Sequence, residues 1–243
     1  MKTGVAEWAQ TSFNLASSDS RCTNGCLYCF AKEHENRFGY IPKQKPIKKY
    51  PGVVMFPTRH DITPDNINEA SDTLMALAMC ENDLLIVTKP HLECIERICK
   101  MLKPCKDRIT WRFSIGSASD SVIAFWEPGA TLFAERVQSL ACAWSLGYKT
   151  SVSMEPMLDT EPDRVIEAVS PFVNESIWIG LMRRAEARMK MNGIEDKQKL
   201  RTARTLTEWW GVEELESLQA RLKNCPLVKW KDSIKIALGL ESR

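Results

Sequence analysis

Short apolar, β-rich runs alternate with longer helical patterns through most of this chain, and that alternation constrains the fold more than any other feature. Strands are expected at 12–16, 52–56, 84–88, 109–115, 150–154 and 176–181. Between them lie helical patterns. One opens at Phe30, and one is capped by Thr63, with Pro64 at its first position, and runs to about Cys80. Others lie at 91–102, 131–146 and 163–169, and a basic, proline-containing stretch at 41–49 reads as a loop. The clearest helix is 131–146, with apolar residues at 133, 137, 140, 141 and 144 and Gly147 as its stop. Six β-α units imply a parallel sheet with helices outside it. They are too few to close an eightfold barrel, so the expected fold is α/β, a partial (β/α)6 TIM-type barrel over residues 1–183. Residues 184–243 are rich in Lys, Arg and Glu, with helical patterns near 197–210 and 213–222, and are expected to form a helical C-terminal extension.

Folds of this kind place their chemistry at the C-terminal ends of the strands. The loop after the first expected strand carries Cys22, Cys26 and Cys29, in the run Arg21-Cys-Thr-Asn-Gly-Cys-Leu-Tyr-Cys-Phe30. The spacing is C-x3-C-x2-C, with Tyr28 just before the last cysteine. Three thiolates on one short loop can hold three irons of a [4Fe–4S] cluster and leave the fourth without a protein ligand. An open metal position suits chemistry, whereas four-cysteine sites are closed. The spacing also allows a second reading, because His34, five residues after Cys29, would complete a Cys3His zinc set in a non-catalytic or nucleic-acid-binding protein. The run resembles the signature of the radical S-adenosylmethionine (SAM) superfamily. That resemblance implies a [4Fe–4S] cluster whose open iron is chelated by the amino and carboxylate groups of SAM.

Nine cysteines are an odd number in a chain too long to need disulfide staples. The six outside the loop lie mostly in apolar helical patterns, where a free thiol packs as a small hydrophobe. This usage fits a reducing, cytoplasmic setting. The start, Met-Lys-Thr-Gly-Val-Ala-Glu-Trp8, has no apolar h-region, so no signal peptide is expected, and no apolar run approaches a membrane span. A formal net charge of +2 argues neither for nor against a polyanionic partner, but the stretches 43–49 and 183–190 are locally basic.

The strand ends supply further candidates. Lys89, after the third strand, could pair with a SAM carboxylate. Ser114 and Ser117, after the fourth, could hydrogen-bond ribose or amino acid groups. Glu155, after the fifth, could accept from ribose hydroxyls or a polar substrate, and its neighbours Met154 and Pro156 call for a buried partner such as an arginine. His60-Asp61 reads either as a proton-transfer pair or as a turn whose aspartate caps the coming helix.

The cysteine run is joined by Ile86-Val-Thr-Lys89, Ser114-Ile-Gly-Ser117, Phe125-Trp-Glu-Pro-Gly129 and Ser151-Val-Ser-Met-Glu-Pro156, and by the late Val228-Lys-Trp-Lys-Asp-Ser-Ile234. Together these resemble the spore photoproduct lyase-like branch of radical SAM proteins, over about residues 10–183. The resemblance implies SAM contacts at Lys89, Ser114 and Thr58, and the Tyr28 backbone near the adenine. It also implies reductive cleavage of SAM, hydrogen abstraction from a substrate such as a nucleic acid, and a reductant protein such as flavodoxin or ferredoxin. One departure matters. The lyases carry a cysteine near the end of the second strand that returns a hydrogen atom to the product. The stretch 53–60 has none, so thymine-dimer repair is not expected.

Overall fold

Val, Ile, Phe, Trp and Thr crowd the short runs of this chain, and their branched or flat side chains fit a pleated, half-buried surface. The structure, a computed structural model, describes residues 4–15, 22–39 and 45–240. Seven strands form one sheet: β1 (Thr11–Ser12), β2 (Val53–Phe56), β3 (Asp83–Thr88), β4 (Ile109–Ser114), β5 (Lys149–Met154), β6 (Ser176–Ile179) and β7 (Val228–Trp230). They lie in chain order and every neighbouring pair is parallel. Helices α1 (Phe30–Phe38), α2 (Ile67–Met79), α3 (Leu92–Leu102), α4 (Asp120–Trp126), α5 (Phe133–Ser145) and α6 (Pro162–Val169) fall between the strands. Then come α7 (Ala185–Met191), α8 (Lys197–Trp209) and α9 (Val212–Leu222), and α10 (Asp232–Ala237) follows β7. The sheet curls without closing, which makes the fold a partial TIM-type barrel.

Alternation divides the strands into two faces. Val54, Phe56, Leu84, Ile86, Trp111, Phe113, Val152, Met154, Ile177 and Ile179 are buried in the main core with Ile95, Ile98 and Leu102 of α3. The opposite, inner face carries Met55, Leu85 and Val87, packed with Val5 and Trp8 from the N-terminal segment. Across the barrel this face becomes polar. Arg112, Ser151 and Ser176 are register partners in one row, and Ser114, Ser153 and Trp178 in the next.

Several boundaries differ from the sequence expectation. β1 is only two residues long, and Ala16, where it was expected to end, lies outside the described residues, as do positions 41–44 of the expected loop. Thr63 does not cap α2. Its backbone N–H donates to Asn66 Oδ1 at 3.0 Å, and the resulting turn delays the helix to Ile67. The six units gain a further strand, β7, from the last sixty residues. A run of three residues with a lysine at its centre has little strand signal of its own, and pairing with β6 supplies the rest. Cys94 and Cys99 of α3 are buried as small hydrophobes, and Cys80, Cys105, Cys142 and Cys225 are half-buried. Among the described residues, no helix is long and apolar enough to cross a membrane.

Candidate active site

The cysteine loop is held from two sides. On one side, Leu27 N–H donates to Trp126 O and Gly129 N–H to Asn24 O, each at 2.9 Å. A Cβ on residue 129 would sit 2.4 Å from the Thr23 carbonyl oxygen, so only glycine allows this approach. On the other side, Asn192 at the end of α7 donates to Leu27 O at 3.1 Å and to Cys29 O at 3.0 Å. Arg184 and Arg188 each reach the buried Glu33 of α1 at 3.1 Å. The final cysteine starts α1, its Sγ accepting from Lys32 N–H at 3.4 Å.

A cavity of about 1270 Å³ opens at the C-terminal ends of the strands. Cys22, Cys26, Tyr28, Cys29, Thr58, Lys89, Ser114 and Glu155 all line it, so eight residues chosen from separate parts of the sequence share one space. Ser117 does not. It is fully buried, its hydroxyl donating to Asp159 and accepting from Ser119 N–H at 2.9 Å. The Thr58 hydroxyl accepts from Asn14 Nδ2 at 2.8 Å, which ties the end of β2 to the chain after β1.

Beneath the cysteines lies a buried ionic network. The Lys89 ammonium is 3.4 Å from Asp61 and 3.9 Å from Glu127. Burial works against its charge, but Asp61 and the acidic groups of Cys26, Tyr28 and Glu127 hold Lys89 well above the usual lysine range. Asp61 also accepts from the Lys89 N–H at 2.7 Å and from Asn24 Nδ2 at 2.9 Å, and the Cys22 thiol donates to it at 3.6 Å. Burial alone would raise the Asp61 carboxyl; Lys89 and these donors outweigh it and lower it. Glu127 receives the Tyr28 hydroxyl and pairs with the fully buried Arg136 at 2.7 Å. Burial, then the Glu127 charge, keeps Tyr28 well above the usual tyrosine range. Arg136 in turn donates to the Ser114 carbonyl at 3.2 Å. Burial pushes the Cys22 thiol up to about 12 and raises Cys26 as well.

His60-Asp61 is neither a proton-transfer pair nor a cap. The Asp61 carboxylate faces Lys89, while His60 Nε2 accepts from Leu15 N–H at 3.1 Å and Nδ1 sits 3.1 Å from Asp61 O. That pattern fixes a neutral ring with its proton on Nδ1. Glu155 does have a buried partner, but it is Lys231 at 3.4 Å rather than an arginine. The basic stretches are engaged internally. Arg183 faces Asp232 at 3.4 Å, Arg184 and Arg188 face Glu33, and Lys190 faces Glu186 at 2.7 Å. Lys45 donates to Ser12 O at 2.7 Å and Lys49 to Glu81 O, and 43–44 lie outside the described residues. His34 does not line the cavity; its ring packs on Phe38 with centroids 4.8 Å apart. The fourth ligand of the Cys3His zinc reading is therefore not in the cavity that Cys22, Cys26 and Cys29 line. Glu127, Arg136, Asn192 and Lys231 escaped the sequence reading. Glu127, an acid between Trp126 and Pro128, carried the same signal that singled out Glu155.

No protein-family model matches the chain, and no curated protein matches it in sequence. Solved structures do. SuiB of Streptococcus suis, bound to the precursor peptide SuiA, matches at TM-score 0.58 and 12% identity over 94% of this chain and 50% of that one. SuiB bound to S-adenosylmethionine matches at TM-score 0.56 and 11% identity, over 91% and 46%. A spore photoproduct lyase variant with bound AdoMet and dinucleoside spore photoproduct matches at TM-score 0.56 and 15% identity, over 91% and 76%. The chain spans about half the length of SuiB. At these identities the likeness is one of fold: this chain is an open parallel barrel of the kind found in SuiB and in spore photoproduct lyase.

Proposed function

We propose that this chain is a radical SAM enzyme, with Cys22, Cys26 and Cys29 holding a [4Fe–4S] cluster and Lys89, Ser114, Thr58, Glu155 and the Tyr28 backbone lining the place of SAM. One observation carries this reading: the three thiols and these five residues line a single cavity at the strand ends. The donor set fits the cluster. Three soft thiols come from one loop, and among the described residues no other cysteine lines the cavity, so three thiolates would leave one metal position open to a ligand. When bound, the cluster and SAM supply reductive cleavage of a sulfonium C–S bond and a carbon radical that takes hydrogen from a substrate.

The chain's own part is binding and positioning. Lys89 offers its ammonium to a carboxylate, but shares it with Asp61 and Glu127, so it is aimed rather than free to swing. Glu127 fixes the Tyr28 ring, and Arg136 fixes the Ser114 carbonyl, so the cysteine loop and the end of β4 keep one spacing. Residues 1–183 supply six of the barrel's strands in this reading, and 184–243 add β7 and clamp the cysteine loop through α7. The electron donor is a reductant protein of the flavodoxin or ferredoxin kind. The matched lyase carries a dinucleoside photoproduct and SuiB a precursor peptide. Because the basic residues of 183–190 are paired with Asp232, Glu33 and Glu186, the substrate is recognised inside the cavity rather than along that surface.

The test is anaerobic reconstitution with iron and sulfide, addition of SAM and a strong reductant, and mass-spectrometric measurement of 5′-deoxyadenosine. Wild type should form it and Cys26→Ala should not. Failure of the wild type to build a cluster, or retention of zinc in its place, would overturn the reading.

A further inference from the structure

Among the described residues two arginines are deeply buried, and they are provided for very differently. Arg136 has a carboxylate at 2.7 Å, Glu127, and two backbone carbonyls at 2.8 and 3.2 Å. Arg112, on the inner face of β4 and only 7% exposed, has no carboxylate within 4.0 Å among the described residues. Its Nε donates to Ser151 Oγ at 3.0 Å, and its Nη1 has no acceptor among the described residues. Its guanidinium lies 4.4 Å from the ring centre of Trp8 and 5.4 Å from that of Trp178. The two indoles stand edge to face with centroids 5.8 Å apart, and both indole Nε1–H groups are likewise buried without an acceptor. Three groups that each carry a donor without a partner, one of them cationic, therefore pack together with centres within about 6 Å of one another.

They lie beneath the inner end of the cavity. Arg112 and Trp178 do not line it, but Trp8 does, as do Val87, the register partner of Arg112, and Ser114 and Ser153, which sit one inward position above Arg112 and Ser151 on the same two strands. Orphaned buried donors are rare in folded proteins, because each forfeits its hydrogen bond to water. Ring contacts offset part of the cost for the guanidinium and none for the indole N–H groups. Burial lowers Arg112 to about 9, against the pull of Glu175 and Glu155, which marks a cation with no close counter-charge.

We propose that Arg112, with the indole N–H groups of Trp8 and Trp178, forms an anion-recognition site beneath the inner end of the cavity, reached past Trp8, and takes a phosphate or carboxylate group carried by the substrate. A planar guanidinium fork suits either group. The inference deepens the proposed function by naming a substrate class, and it rests on that reading only in taking this cavity as the substrate's.

The test is calorimetric titration of the purified chain, before and after cluster reconstitution, with inorganic phosphate, methyl phosphate and acetate at constant ionic strength. Its outcome is independent of 5′-deoxyadenosine formation, so failure here and failure of the radical SAM reading are separable. Saturable binding of methyl phosphate or acetate is expected, tenfold or more weaker in Arg112→Gln. Trp8→Phe keeps the ring and removes one N–H, and should weaken binding about threefold; it decides the matter if Arg112→Gln fails to fold. Binding that is not saturable, or is equal in wild type and variants, would overturn the proposal. So would saturation by inorganic phosphate alone, which would make this a site for a free ion rather than for a substrate group.

Discussion

Glu127 shows what one buried carboxylate can organise. It receives the Tyr28 hydroxyl from the cysteine loop, faces Lys89 from the end of β3, and pairs with Arg136, which holds the Ser114 carbonyl at the end of β4. Tyr28 and Lys89 thus meet at one side chain, Ser114 is tied to it through Arg136, and Glu127 itself lines the same cavity. Replacing Glu127 with Gln keeps its shape and removes its charge, leaving the fully buried Arg136 without a counter-ion. Breaking a buried pair from one side costs more than the pair contributes, roughly 3–5 kcal/mol. Urea unfolding of Glu127→Gln should show a loss of about 3 kcal/mol, with weaker SAM binding in whatever fraction stays folded. A change below about 1 kcal/mol would mean that Arg136 is satisfied by Thr131 and Ser114 alone. Glu127 escaped the sequence reading although its apolar neighbours carried a signal, and nothing local identified its partners, two of which, Tyr28 and Lys89, lie in distant parts of the chain.

Elements are joined to this site by a few latches, and one of them titrates. His60, after β2, accepts the Leu15 N–H from the chain after β1, and burial lowers its pKa below the ordinary 6.5. The folded state therefore holds His60 neutral where the unfolded chain begins to protonate it. The unfolded state binds more protons in that window, so stability rises with pH through it. The contribution is complete above about 6.5 and is lost as pH falls from there toward the lower folded value. Thermal unfolding between pH 7.5 and 5 should show this slope in wild type and a shallower one in His60→Gln. Equal slopes would assign the acid sensitivity to other groups. The strands and main helices were legible because their apolar periods are long, as in α3 and α5. The clamp of α7 on the cysteine loop was not. Its basic residues read as a surface for polyanions, whereas Arg184 and Arg188 face Glu33 and Asn192 faces two loop carbonyls.

At the scale of the whole molecule, the sheet is open, and its two ends are bridged by side chains instead of hydrogen-bonded strands. Lys231, just after β7, is fully buried. Its ammonium lies 2.5 Å from Glu7 and 3.4 Å from Glu155, donates to Gly4 O at 3.1 Å, and sits 4.0 Å from the centre of the Trp8 ring. One lysine thus links the N-terminal segment, the end of β5 and the last strand, and it lies beside the aromatic wall of the cavity. That linkage was invisible in sequence, because a lysine among Lys229, Trp230 and Asp232 reads as solvated surface. Lys231→Met keeps most of the buried stem and deletes the charge, leaving Glu155 without its cation and Glu7 with only Lys235 at 3.5 Å. The expected loss is roughly 3–5 kcal/mol by urea unfolding. Glu7→Gln alone should cost less, since Glu155 still faces Lys231 in that variant. If Lys231 bridges the barrel's ends as a unit, the double variant should be destabilised by less than the sum of the two single losses, by about 1 kcal/mol or more. Strict additivity would show that the N-terminal segment and β7 are held independently, and that the seam depends on the packing of Trp8 against Trp178 rather than on the shared ammonium.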